Sequence, residues 1–281
     1  MFTRTLARRF PILYRVRVQQ LQWKRRWADA TGGLRFASHR QEPLPYVYKK
    51  HKSLLRRHLA GSDPQLQENK IVNLGLCMPL IDGVVIRPGE TFSLWKLIGR
   101  PTAAKGYLKG LALANGEAVT AVGGGLCQLA NLLFWLALHT PLTVVERHHH
   151  SFDLFPDHGR TVPFGSGTSI FYNYVDLRFY NGTAATFQLH TQLTDEFLVG
   201  SLTSDCPLQA LYRIEERGHH FEQVGSRWYR ENEIWRLTLD AASGEVLGEE
   251  LLMHNRAEVR YAVSQSGMDN KPAMTTEEIR I

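Results

Sequence analysis

The chain has 281 residues, 43% of them hydrophobic and 21% charged, enough apolar material for a packed interior and too little charge for disorder. Its net charge of +6 is local: residues 1 to 40 hold ten Lys and Arg against one acid, Asp29, while the rest holds 23 bases against 26 acids. A basic face spread over a folded body is excluded, and nucleic acid is not an expected partner.

Residues 1 to 45 read as a basic amphipathic N-terminal segment. After Pro11 a helix mixes bases with Ile12, Leu13, Val16, Val18, Leu21, Trp23 and Trp27. Two outcomes compete. In the favoured one the apolar stripe packs on the body and the bases stay in solvent; in the other, residues 1 to 40 lie on an anionic membrane surface. No apolar stretch of about 7 to 15 residues follows the basic start, so no export signal is expected. The longest clean apolar run, Leu132 to Leu138, is far short of the roughly 20 residues of a membrane span. The expected location is the cytoplasm, with peripheral attachment at the inner face of the membrane as the extension of the second outcome. Gly32-Gly33 and Pro43-x-Pro45 mark a linker.

The body, residues 46 to 265, opens with two helical pieces, Ser53 to Leu59 and Leu66 to Cys77. Ser62 or Asp63 is the N-cap of the second and Pro64 stands in its first turn. Turns at Asp82-Gly83 and Pro88-Gly89 bracket a short strand, Val84 to Ile86. From Ala121 to Pro141, Gly123-Gly124-Gly125 precedes Leu129, Leu132, Leu133 and Leu136 at i, i+3, i+4 and i+7, a buried helix introduced by a glycine loop. Strands follow at Thr143 to Phe155, Ser169 to Tyr180, Ala184 to Leu193 and Glu196 to Leu202, with Asn181-Gly182 as a hairpin turn. Further strand-like segments run near Leu211 to Glu215, Glu233 to Leu239, Glu250 to Met253 and Glu258 to Val263; residues 266 to 281 form a polar tail. The fold class is α+β: N-terminal helices, then a central helix headed by Cys127 packed on a largely antiparallel sheet, papain-like in layout.

Three cysteines, Cys77, Cys127 and Cys206, cannot all pair within one chain, and no CxxC, HExxH or GxxxxGK[ST] pattern occurs. No cofactor or metal is expected. Cys127 begins the central helix, where unpaired N–H groups and the macrodipole favour a thiolate and can hold an oxyanion. Gly124 and Gly125 let a substrate approach, and Gln128 is a further donor. A base comes from Glu146-Arg147-His148-His149-His150: alternation puts Glu146, His148 and His150 on one face and Arg147 and His149 on the other. The base is therefore His150 or His148 if the first face meets the helix, and His149 if it does not. Asn173 and Asp176 are candidates for a third member. His148 and His150 with Asp153, Asp157 and His158 also offer metal donors, though at no established zinc spacing. Competing with catalysis is the reading of Cys127 as a small buried core residue.

Pro88-Gly89-Glu90-Thr91-Phe92-Ser93, then Gly99, Gly106-Tyr107 and Gly110, Gly123-Gly124-Gly125-Leu126-Cys127-Gln128-Leu129, Glu146-Arg147-x-x-His150-Ser151 and Pro163-Phe164-Gly165 together resemble the VanW family, named for an accessory protein of a vancomycin-resistance gene cluster. The resemblance runs from about Tyr48 to Val263. It implies that His150 is the family's histidine, and the motif pair Cys127 and His150 strengthens the expectation of a catalytic or formerly catalytic thiol site; Glu90, Tyr107 and Arg147, which lie within these motifs, stand with the glycine loop as substrate-binding candidates. Longer family members carry Asp where this chain has Gly167. What the resemblance implies is a context, glycopeptide resistance, more than a reaction; the leading hypothesis, motivated by the Gly-Gly-Gly-Leu-Cys-Gln helix start and His150, is a cysteine-dependent amidase, peptidase or acyl transferase acting on a small molecule or peptide, such as a cytosolic cell-wall precursor. The alternative is a non-catalytic ligand- or partner-binding module with a structural Cys/His pocket.

Overall fold

In the computed structural model, which describes residues 11–56, 63–114, 117–149, 152–154, 156 and 161–263, the chain begins with helix α1 (Pro11–Thr31). It continues through β1 (Arg35–Phe36), β2 (Tyr46–Leu54), α2 (Gln65–Ile81), β3 (Val85–Ile86), β4 (Glu90–Ser93), α3 (Leu94–Ile98), β5 (Lys109–Ala114), β6 (Glu117–Val122) and α4 (Cys127–Leu138). The remainder is strand: β7 (Thr143–Glu146), β8 (Phe152–Asp153), β9 (Arg178–Tyr180), β10 (Phe187–Leu193), β11 (Phe197–Ser204), β12 (Ala210–Val224), β13 (Arg227–Asp240) and β14 (Val246–Val259). The class is α+β, as the run of helices followed by strands implies.

Three four-stranded sheets have the orders β1-β4-β9-β7, β2-β11-β10-β3 and β12-β13-β14-β8, and β5 and β6 form a separate hairpin. Most neighbours are antiparallel; β1 with β4 and β14 with β8 are parallel. Helix α4 packs on β2 and β11 of the second sheet, and α2 on β10 of the same sheet. Leu129, Leu132, Leu133 and Leu136 of α4 enter one core with Phe92, Phe179, Phe187 and Leu202, so the periodic leucines mark the buried face.

Several local expectations are corrected by tertiary pairing. Ser53 and Leu54 end strand β2, which pairs with β11 from Tyr46↔Ser204 to Leu54↔Phe197, instead of starting a helix. A ladder partner outweighs weak local propensity; residues 57–59 of that expected helix lie outside the described ones. The supposed linker is woven into the body: β1 pairs with β4, Ala37 is buried and Arg40 bridges to Val84. Asn181-Gly182 is not a hairpin turn, because β9 and β10 belong to different sheets. Asn181 instead pins the crossing, exchanging backbone bonds with Gly89 (2.7 Å) and Glu90 (2.9 Å) while its amide donates to the Ile86 and Ala185 carbonyls (2.8 and 2.7 Å). The polar tail lies outside the described residues.

Helix α1 docks the opposite way from the favoured expectation. Gln22 and Asp29 are buried, and Arg25 is half-buried beside them, while Ile12, Leu13, Val16, Trp23 and Trp27 are exposed. Arg25 grips Glu146 with two bonds of 2.6 and 2.7 Å, and Asp29 accepts two from Arg178 at 2.8 and 3.1 Å, with Lys96 Nζ at 3.0 Å. The body presents buried charges at this place, and a desolvated charge needs a charged or hydrogen-bonding partner, so the polar row faces inward.

Candidate functional site

The glycine loop is shaped by close packing as much as by chemistry. Gly125 has φ +92°, and a Cβ there would strike the stem of Lys70 from α2; a Cβ on Gly124 would strike the backbone of Gly110 on β5. Asn73 of α2, fully buried, holds both sides: its amide donates to the Gly124 carbonyl (2.9 Å) and the Leu108 carbonyl (3.0 Å), and its Oδ1 accepts the Leu108 N–H (2.8 Å). The loop thus delivers Cys127 to the first position of α4.

Cys127 lines a cavity of about 290 Å³. α4 contributes Gln128, Asn131 and Leu132; β2 contributes His51 and Ser53; the segment Thr161 to Gly167 forms another wall. Asn131 Oδ1 accepts the Thr168 N–H at 2.6 Å and secures that wall. Gln128 Nε2 donates to Ser53 Oγ and to the Leu54 carbonyl, both at 2.9 Å, so this donor is committed to β2. The N–H groups of Gln128 and Leu129 are likewise spent, on Gly125 O (3.0 Å) and Leu126 O (3.1 Å), which narrows the donor set expected at the helix start.

The cavity combines titratable groups shifted toward their neutral forms with charged groups held by the protein. Burial pushes the Cys127 thiol up, outweighing hydrogen bonds from the N–H of Ile170 and from its own N–H; the expected lowering at a helix start is reversed because desolvation disfavours the thiolate. Burial, aided by Lys49, holds His51 down at about 4, and burial with Arg147 and His148 lowers His149. The charged lining groups already have protein partners: Lys70 donates to Gln67 Oε1 (2.7 Å) and the Leu55 carbonyl, Asp153 meets Arg230 (3.2 Å) and the Tyr261 hydroxyl (2.8 Å), and Arg256 pairs with Glu231 and Glu222 (2.8 and 3.0 Å). Ser166 is different. It lines the cavity at 2% exposure, and its hydroxyl has no hydrogen-bond partner among the described residues.

The histidine run leaves β7 and continues off the main ladders, His148 making a single bridge to Ser169. Alternation persists to His149. His148 turns to Glu146 (3.2 Å), and His149 lines the cavity with Cys127. His150, with Ser151, Asp157 and His158, lies outside the described residues. Among the described residues no three His, Cys, Asp or Glu side chains converge as a metal site.

The other expected site residues, Asp176, Asn173, Tyr107, Glu90 and Arg147, do not line the cavity. Asp176 is buried in a network, accepting from Ser93 Oγ (2.5 Å), Arg178 Nε (2.9 Å) and the Leu177 N–H (2.8 Å), and it does not line the cavity. Asn173 is buried at φ +60° in the turn between Phe171 and Val175, also away from the cavity. Tyr107 is buried with its hydroxyl 3.5 Å from Cys77 Sγ, and burial raises the Cys77 thiol to about 11. Glu90 caps the preceding turn through the Arg87 N–H at 2.9 Å. Arg147 lies 4.9 Å over the Phe134 ring, and its guanidinium donates to the carbonyls of Gly165 and Gly167 (2.7 Å to the latter), so it braces the cavity wall from behind. Reasoning from sequence missed His51, Asn131 and Ser166; only the Pro163-Phe164-Gly165 motif pointed toward that wall.

The family model described as VanW like protein matches residues 69–203, from within α2 to near the end of β11, including the glycine loop, Cys127 and the Ser166 wall. The chain is similar to the vancomycin B-type resistance protein VanW of Enterococcus faecalis, 33% identical over 267 residues that cover 93% of this chain and 95% of that one. It is also similar to the uncharacterized protein YoaR of Bacillus subtilis, 33% identical over 112 residues, 39% of this chain and 34% of that one. No solved structure matches.

Proposed function

Because the chain belongs to the VanW family, we propose that it acts in the vancomycin resistance for which its relative is named, by binding a small amide-bearing ligand in the cavity beside Cys127. The buried Ser166 hydroxyl, which has no hydrogen-bond partner among the described residues, carries this reading. A buried hydroxyl without a hydrogen bond costs on the order of 1 to 3 kcal/mol, which a ligand supplying that bond recovers. With the lining charges of Lys70, Asp153 and Arg256 already engaged by protein groups, the remaining imidazoles, the thiol and the apolar side chains suit an uncharged amide better than an ion. A volume near 290 Å³ suits a group of dipeptide size, such as the peptide stem of a cell-wall precursor offers.

A second reading is favoured by one observation: Cys127 and His149 line the same cavity. In a Cys-His amidase or acyl transferase the imidazole takes the thiol proton as sulfur attacks the amide carbon. The C–N bond then breaks, the leaving amine takes that proton, and water or an acceptor amine cleaves the thioester. By family resemblance His150 competes with His149 for this role.

Calorimetric titration with short acylated peptides, alongside iodoacetamide labelling across pH, separates the readings. For the binding reading, Ser166→Ala weakens peptide binding about tenfold, and Cys127 labels more slowly than a model thiol near pH 7. Peptide binding absent from the wild type, or unchanged by Ser166→Ala, overturns it. Fast labelling together with peptide turnover that Cys127→Ser abolishes establishes the catalytic reading.

A further inference from the structure

We infer that the outward face of α1 is a docking surface for an anionic lipid membrane. The helix is already anchored on one side: Gln22 donates to the Tyr172 carbonyl at 3.2 Å, and Arg25 and Asp29 make the charged contacts described above. At roughly 100° per residue, Ile12, Leu13, Val16, Trp23 and Trp27 fall within an arc of about 100° on the opposite side. Ile12 is 75% exposed, Trp23 65% and Trp27 70%. Two tryptophans held in water beside three aliphatic side chains are costly unless a partner covers them.

Charge identifies the partner. Arg17 and Lys24 flank the apolar arc on one border and Arg15 and Arg26 on the other, all exposed, and none has a carboxylate partner among the described residues. Arg26 lies 5.9 Å from the Trp23 ring and Arg17 is 3.4 Å from Gln20 Oε1. Asp29 is the only acid in the helix, and it is buried on the inner face. The outer face therefore has an apolar centre, interfacial aromatics and basic borders with no acid, the pattern of a helix lying in the plane of a lipid headgroup layer. A second copy docked on this face sets four bases against four bases, which disfavours self-association. No helix of the described residues is long and apolar enough to cross a membrane, so the attachment is in-plane. The polar row of α1 stays on the body, and the helix need not undock to bind.

Co-sedimentation of the whole protein with phosphatidylcholine vesicles, with and without about 30% phosphatidylserine, tests the inference. At low salt, binding to the anionic vesicles is expected to be at least about tenfold tighter than to neutral ones, and to weaken steeply on raising salt. Lys24→Glu with Arg26→Glu removes that preference, and Trp23→Ala with Trp27→Ala weakens binding about tenfold or more, each with unchanged circular dichroism and melting temperature. Equal binding to both vesicle types, no binding to either, or full binding by these variants overturns the inference. So does sedimentation of the vesicle-free protein as a dimer that Trp23→Ala with Trp27→Ala dissociates.

Discussion

At the scale of single residues, the glycine loop shows how a motif with a chemical look can have a steric cause. Gly124 and Gly125 were legible as a loop that brings Cys127 to a helix start. That their missing side chains make room for the Gly110 backbone and the Lys70 stem depends on strands and helices far away in sequence. Gly124→Ala and Gly125→Ala are each expected to cost about 3 kcal/mol or more, since one meets rigid backbone and the other adds an unfavourable positive φ; urea unfolding measures this. Cys127 shows the same division. Its place at the head of α4 follows from local periodicity, but the direction of its thiol pKa is set by burial, which no local pattern contains. Asp176 stands after the histidines in sequence, but tertiary packing sets it in a buried network with Ser93 and Arg178, away from the cavity.

At the scale of elements, α1 is the clearest case of a helix foreseen and a docking face inverted. Its amphipathic pattern is real, but pattern alone does not say which face meets the body. The half-buried carboxylate of Glu146 and the buried guanidinium of Arg178 decide that, because they pair with Arg25 and Asp29, while Asp176 holds Arg178 from within the body. Asp29→Asn is expected to destabilise by about 3 kcal/mol and to speed hydrogen exchange along α1, because it leaves Arg178 and Lys96 facing a neutral side chain. Trp27→Ala, on the exposed face, is expected to change stability by no more than about 0.5 kcal/mol in the absence of lipid. The β5–β6 hairpin carries no clear local signal, and the end of β2 has the local pattern of a helix. Both are defined by their ladder partners more than by their own residues.

At the scale of the whole molecule, buried imidazoles give the fold a pH dependence distinct from that of its carboxylates. Burial, with Lys49 nearby, lowers His51 to about 4 and His139 to about 3, against 6.5 for both in the unfolded chain. Between pH 6.5 and 5 the unfolded chain therefore takes up protons that the native one refuses, and stability falls as pH falls, by about 1 to 2 kcal/mol for each histidine at pH 5. Asp29 and Glu146 have lowered carboxyl pKa values, so their stabilisation is lost only further into acid, below their unfolded values of 3.8 and 4.5. Melting temperature should decline from pH 6.5 to 5 in the wild type and stay nearly level in the double variant His51→Asn with His139→Asn; a level wild-type curve overturns this assignment. By itself the sequence determined the α+β class, the buried helix headed by Cys127, the basic N-terminal helix and the family, because these rest on periodicity, local charge and contiguous motifs. Only the tertiary structure decided that Ser166 and His149 join Cys127 at one cavity, that Asp176, Tyr107 and Glu90 lie away from it, and that α1 turns its tryptophans outward, because burial and pairing between distant segments set each of these.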